Sequence, residues 1–129
     1  MFQENVELVR RSVTEFMATG EPVWETMDDQ IECYDHDVPE GGHHRGHEGF
    51  VSFIENWNAA WAEWSMDAQE YLDAGDRVVV FVRMKATGQS GITLERDDAI
   101  VYRVQGDRIV RIDYYNNRPE ALAAVGLSE

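Results

Sequence analysis

Cysteine is almost missing: Cys33 is the only one in 129 residues, so no internal disulfide can form. That fits a reducing, cytoplasmic compartment. Set in an apolar strand, Cys33 reads as a small buried side chain rather than a nucleophile. Positive charge is scarce as well, with 11 Lys plus Arg against 25 Asp plus Glu and a net of -14. A polyanion would be repelled by that field, and no basic patch interrupts it, so neither nucleic acid nor a membrane is expected as a partner. No apolar run approaches the roughly 20 residues that cross a bilayer. The first residues lack the basic-then-apolar pattern of a secretory leader. Also missing are Gly-x-Gly-x-x-Gly, a phosphate-cradling Gly-Lys-Ser/Thr loop and Cys-x-x-Cys. Nucleotide and iron–sulfur chemistry therefore have no support, and no cofactor is expected.

What is present suits one domain over residues 1–129, ordinary in its 43% apolar content. The stretch 69–117 reads as a compact antiparallel sheet. Val78-Val79-Val80-Phe81-Val82 is β-branched and aromatic, with turn signals at 74–76 and 87–91. A second run at 92–104 ends at Gln105-Gly106-Asp107, and a third follows at 108–115. Connections this short leave no room for crossover helices and predict hairpins. If Ile92, Leu94, Arg96, Asp98, Ile100, Tyr102 and Val104 share one face, that face is apolar at both ends and charged in the middle. Burying such a pair unsatisfied is expensive, so it marks either a lined cavity or a salt bridge.

Upstream, Val6, Val9, Val13 and Phe16 recur at the helical period, with Asn5 as a candidate cap and Gly20 as the stop. A second, shorter helix is expected near Pro22, and a strand at 31–35 with Ile31, Cys33 and Asp35 on one side. The stretch 36–42 is a breaker-rich loop. Phe50, Ile54, Trp57, Trp61 and Trp64 continue at offsets of three and four, a helical aromatic stripe from about 47 to 61. Such rings pack a core, and the inner ends of Trp57 and Trp61, with Ile54, can also wall a pocket. The histidines cluster at 36, 43, 44 and 47, beside Asp37 and Glu40. Their spacing matches no standard metal signature, and a place at a pocket mouth suits them better. A short alanine-rich helix closes the chain at 120–125.

Taken together, Asn5-Val6-Glu7-Leu8-Val9-Arg10-Arg11, Tyr34-Asp35, Arg45-Gly46-His47-Glu48-Gly49, Asp73-Ala74-Gly75-Asp76-Arg77 and Gly106-Asp107-Arg108-Ile109-Val110-Arg111 resemble the SnoaL-like polyketide cyclases. That family sits within the nuclear transport factor 2 and ketosteroid isomerase superfamily. The resemblance implies an α+β fold in which a cone-shaped, curved, mixed or antiparallel sheet packs against three N-terminal helices. It implies an isomerase, lyase or cyclase working on an apolar carbonyl compound, or a non-catalytic protein that holds an apolar or aromatic ligand.

By position, Asp35 resembles the general base of the steroid isomerases, and desolvation in a cone would make it a better one. Ser12 stands where those enzymes carry an oxyanion tyrosine, and Ile100 where they carry an acidic donor, with Asp98 one same-face step away. Tyr114 matches the acid/base aspartate of the cyclases. Asp98 if protonated, Tyr102 or Tyr114 could then steady the developing charge. Arg96 either holds a substrate carboxylate or pairs with Asp98. His36 or His44 could relay a proton to Asp35 or hold a polar substrate group. An open curved sheet also predicts a homodimer, with Arg103, Arg111, Asp113 and Tyr115 at its interface.

Overall fold

A computed structural model describes residues 2–36 and 42–127; residues 37–41 of the expected loop, including Asp37 and Glu40, lie outside the described residues. Helix α1 (Phe2–Thr19) is followed by a single 3-10 turn (Trp24–Thr26). Then come β1 (Met27–Asp35), β2 (His43–Arg45), α2 (Gly46–Ala60), β3 (Glu63–Ala74), β4 (Arg77–Thr87), β5 (Thr93–Gln105), β6 (Arg108–Tyr115) and α3 (Arg118–Ala124). The six strands form one sheet in the order β2-β1-β6-β5-β4-β3. Only β1 and β6 run parallel; every other neighbouring pair is antiparallel. The result is an α+β fold, a curled, unclosed mixed sheet with helices on it.

The apolar period of α1 buries Val6, Val9 and Val13 against the inner sheet face. Gly20 ends the helix at φ +76°, a value that suits a residue without Cβ. Asn5 does not cap α1 but lies inside it, where its amide donates to the Gly75 carbonyl at 3.0 Å and ties the helix to the β3–β4 turn. The helix expected near Pro22 shrinks to one turn because Met27 already begins β1.

β4 is apolar on both sides because both sides are covered. Val78, Val80 and Val82 join the main core, while Val79 and Phe81 join a smaller outer one with Ala99, Val101, Ala121 and Leu122 from β5 and α3. On β5, only the half from Asp98 to Val104 faces the core. Ile92, 74% exposed, and Leu94 are left uncovered at the far end of the β4–β5 hairpin.

β3 is the element that the helical stripe conceals. Trp64 follows Trp57 and Trp61 at helical spacing by coincidence, yet it belongs to a strand in which Trp64, Met66 and Ala68 alternate inward before a bulge at Ala68/Glu70. Among the described residues, no helix is long and apolar enough to cross a membrane.

The Arg45-Gly46-His47-Glu48-Gly49 segment owes its glycines to geometry. Gly46 opens α2 at φ +75°, and a Cβ there would meet the Asp29 carbonyl oxygen at 3.4 Å. A Cβ on Gly49 would stand 3.0 Å from the His44 carbonyl carbon, so α2 crosses β2 at close range. We expect Gly46→Ala to lower the unfolding free energy by about 1–2 kcal/mol, the cost of a left-handed L-residue. Urea denaturation monitored by circular dichroism measures this; an unchanged midpoint would contradict it.

Candidate functional site

Between the inner sheet face and the two long helices lies a cavity of about 50 Å³. Since one water needs roughly 10–15 Å³ by that measure, the volume is room for a few waters. Its floor is Ile100, Tyr102, Ile112 and Tyr114; Ser12, Val13 and Phe16 of α1, and Phe50, Phe53, Ile54 and Trp57 of α2, cover it. Trp64 and Met66 close one side. Beyond them a surface groove is also lined by Phe16, Met17, Ile54, Trp64 and Met66, so those side chains partition cavity from solvent. Methionine side chains bend readily, which makes Met17 and Met66 the part of the wall that can yield. Trp64 is held on the helix side by its indole N–H, which donates to Asn58 Oδ1 at 2.7 Å.

Directly behind the floor is the charged middle of β5. Asp98 has no solvent exposure. Arg96 donates to both of its oxygens, Nε to Oδ1 at 2.5 Å and Nη2 to Oδ2 at 3.0 Å, and the Tyr114 hydroxyl donates to Oδ2. The phenol of Tyr114 is pushed far above the usual tyrosine range by burial first and by the Asp98 charge second, so it keeps its proton. Its ring meets Trp57 edge-on at 5.1 Å, and Trp57 in turn meets Trp64 at 5.5 Å. The charged pair is thus an internal salt bridge that fixes one wall of the cavity. With both carboxylate oxygens accepting, Asp98 has no hydrogen bond to offer a ligand.

Tyr102 differs. It is 7% exposed and lines the cavity, yet no group among the described residues hydrogen-bonds its hydroxyl. Burial likewise raises its pKa well beyond the ordinary range, so it remains a proton donor.

The remaining expected residues divide between the two faces. Asp35 pairs with Tyr114 in the parallel β1–β6 register and continues the inward alternation of Ile31 and Cys33, both fully buried. It is partly buried and is not among the residues that line the cavity. His44, paired with Cys33, is on the same inner side with its ring 5.9 Å from Phe53. Ile54 and Trp57 line the cavity as expected, whereas Trp61 does not: it ends α2, packs partly buried on the core, and Trp64 occupies the wall instead.

His36 turns away from Asp35, onto the outer face, because successive strand residues alternate. There Nε2 meets Asp113 Oδ1 at 2.7 Å, and the ring stacks on Tyr115 at 4.3 Å. His43 stacks on Tyr34 at 4.3 Å, and His47 stacks on Trp24 at 4.5 Å. The four imidazoles are therefore dispersed, and among the described residues no three His, Cys, Asp or Glu converge on a point that could hold a metal. The thiol of Cys33 is pushed up to about 12 by burial first and by the charge of Asp113 second. That makes it a poor nucleophile.

Comparison with known proteins agrees with this architecture. A family model described as a SnoaL-like domain matches residues 9–112. No curated protein matches the chain. Among solved structures, an NTF2-like protein from Burkholderia pseudomallei K96243 is similar at TM-score 0.78 and 22% identity, covering 95% of this chain and 98% of that one. TerC co-crystallised with polyporic acid is similar at TM-score 0.77 and 21% identity, with 95% and 97% covered. A putative SnoaL-like polyketide cyclase from Jannaschia sp. CCS1 is similar at TM-score 0.73 and 17% identity, with 98% and 94% covered. At these identities the likeness is one of fold.

Removing the Asp98 carboxylate takes away both oxygens to which the partly buried Arg96 guanidinium donates and the acceptor of the Tyr114 hydroxyl. Asp98→Ala should therefore cost about 3–5 kcal/mol of stability. Tyr114→Phe, which keeps the ion pair, should cost only about 1–2 kcal/mol. Chemical denaturation of both variants tests the ordering; equal losses would show that the charge pair is not what holds this wall.

Proposed function

The chain belongs to the SnoaL-like domain family, and on that footing we propose that it is a cofactor-independent acid–base enzyme for a small, largely apolar carbonyl compound, of the isomerase, lyase or polyketide-cyclase kind. The observation that carries this reading is the place of Asp35, a carboxylate on the inner sheet face, level with Tyr114, which lines an apolar cavity. Asp35 takes a proton from the carbon next to the carbonyl. Tyr102, the cavity tyrosine whose hydroxyl is uncommitted, donates to the oxygen on which charge gathers. Arg96 and Asp98 contribute indirectly, by holding Tyr114 and through it Trp57. Ile54 and Trp57 shape the apolar end, and His44 borders the inner side near Asp35. The co-crystal of TerC with polyporic acid supports a small-molecule ligand for this fold.

The reaction is tested by following exchange of the α-hydrogens of small aryl ketones, such as acetophenone and propiophenone, in D2O by proton NMR. The native protein should catalyse exchange, and Asp35→Asn should slow it by about 10²–10⁴ while ketone binding stays within a few-fold. Exchange undiminished in Asp35→Asn would overturn the assignment. A second reading, a binding protein without catalysis, is favoured by the complete commitment of Asp98 to Arg96 and Tyr114. Ketone binding with no exchange in the native protein would select it.

We further propose that the outer sheet face pairs two copies of the chain. Arg103 and Arg111 are cross-strand partners there, beside Asp113 and Tyr115. Arg111 is matched by Asp113 at 2.8 Å and Arg103 by Asp76 at 3.3 Å, so this face is locally balanced on a chain of net charge -14. Analytical ultracentrifugation at micromolar concentration should give a dimer mass, and Arg111→Glu a monomer. A native monomer would contradict the pairing.

A further inference from the structure

Trp64 stands where three hollows meet. It lines the buried cavity, the groove that runs past Phe16, Met17 and Ile54, and a wider surface hollow bounded by Ala62, Lys85 and Thr93. Among the described residues no other side chain borders all three. The indole is held from two directions, and the two holds differ in kind. On the buried side it meets Trp57, which rests edge-on against Tyr114, and Tyr114 is fixed by Asp98, so this hold is the firm one. On the other side its Nε1–H donates to Asn58 Oδ1 at 2.7 Å, an exposed bond. Such a bond has a small net worth, because water can replace either partner. Strand pairing adds little restraint, since β3 is the edge of the sheet and pairs with β4 alone. Size makes this wall decisive. A cavity of about 50 Å³ takes roughly three to five waters, or on the order of 100–150 Å³ at their liquid volume, which is the scale of one benzene ring. A second ring has to take its space from the wall.

We infer that Trp64 sets the length of ligand the site accepts: latched to Asn58 it limits the cavity to a single ring, and displaced it joins the cavity to the Phe16–Met17 groove, so that a two-ring aromatic compound lies across both. The groove shares Phe16, Met17, Ile54 and Met66 with the cavity, so the joined space is apolar along its length. Met17 and Met66 bend out of the way at little cost. Only the displaced state takes two rings, and the apparent affinity for such a ligand is its intrinsic affinity scaled by the fraction displaced. Breaking the latch raises that fraction. A change at Asn58 therefore tightens a large ligand and leaves a small one as it was. The inference rests on this cavity being the ligand site, as in the function proposed above, but not on catalysis by Asp35.

Benzene and naphthalene test it, since they differ by one ring and carry no polar group. In ligand-observed NMR titrations, Asn58→Ala should bind naphthalene about threefold to tenfold tighter than the native protein and benzene within about twofold of it. Trp64→Phe, which keeps a ring but has no N–H, should also bind naphthalene more tightly. Adding Asn58→Ala to it should bring no further gain, because the bond is already gone. Asn58→Asp keeps an acceptor for the indole and should stay within about twofold of native for both probes. Asn58 is exposed, so these variants should fold. An unchanged naphthalene affinity in Asn58→Ala overturns the inference. So does an equal gain for benzene, a further gain from Asn58→Ala in the Trp64→Phe background, or no naphthalene binding by any variant at its solubility limit. Asp35→Asn should leave both affinities as they are. A missing naphthalene gain with intact, Asp35-dependent ketone exchange then refutes only this inference, and a gain without exchange refutes only the catalytic one.

Discussion

A carboxylate with no access to water must be neutralised from within, and the fold is arranged around how Asp98 is neutralised. Arg96 reaches it from two residues away on the same strand, and Tyr114 reaches it from the neighbouring strand. Three hydrogen bonds leave that side chain nowhere else to go. Tyr114 is fixed in consequence, Trp57 packs on its ring, and Trp64 packs on Trp57. One buried charge thus sets the position of a tyrosine and two tryptophans, and with them one side of the cavity. Replacing the pair with hydrocarbon of equal volume could be as stable, so stability alone does not explain its presence. Its effect is to specify a single arrangement of the wall.

The sheet uses its two faces for different purposes, and alternation along each strand enforces the division. Along β1 and the residue that follows it, Ile31, Cys33 and Asp35 alternate with the outward-turned Tyr34 and His36. The outer set builds a ladder of flat groups: His43 on Tyr34, Arg111 over Tyr34 at 4.1 Å, and His36 on Tyr115, with Asp113 bridging Arg111 and His36. Stacked rings and guanidinium groups of this kind pack the β1–β6 part of the outer face, beside the apolar patch that α3 covers.

Much of the sheet was readable from local signals. The run 78–82 is apolar throughout because β4 is covered on both faces, and glycines at 75, 91 and 106, all with positive φ, mark the turns of the meander. The first half of β3, residues 63–68, was not readable, since Trp57, Trp61 and Trp64 sustain a helical period across the point where α2 stops. Period alone cannot show that Trp61 N–H closes the helix on the Trp57 carbonyl. Of the site, the inward direction of Asp35 followed from the alternation 31, 33, 35. The outward direction of His36 follows from the same rule and was obscured by its nearness to Asp35 in the chain. Ser12 left almost no mark, because a single serine in an amphipathic helix is ordinary.

By itself, the sequence determined the class of fold, the separation into covered and open strand faces, and the presence of an acidic group beside an apolar interior. These rest on hydrophobic periodicity and turn chemistry, which act over a few residues. Only the tertiary structure decided that Arg96 and Asp98 are a closed salt bridge rather than free site groups, and that Trp64 and not Trp61 walls the cavity. Whether a polar group is satisfied depends on partners far away in the chain, such as Thr26 for Ser12 and Tyr114 for Asp98. Distances of that kind exist only once the chain has folded.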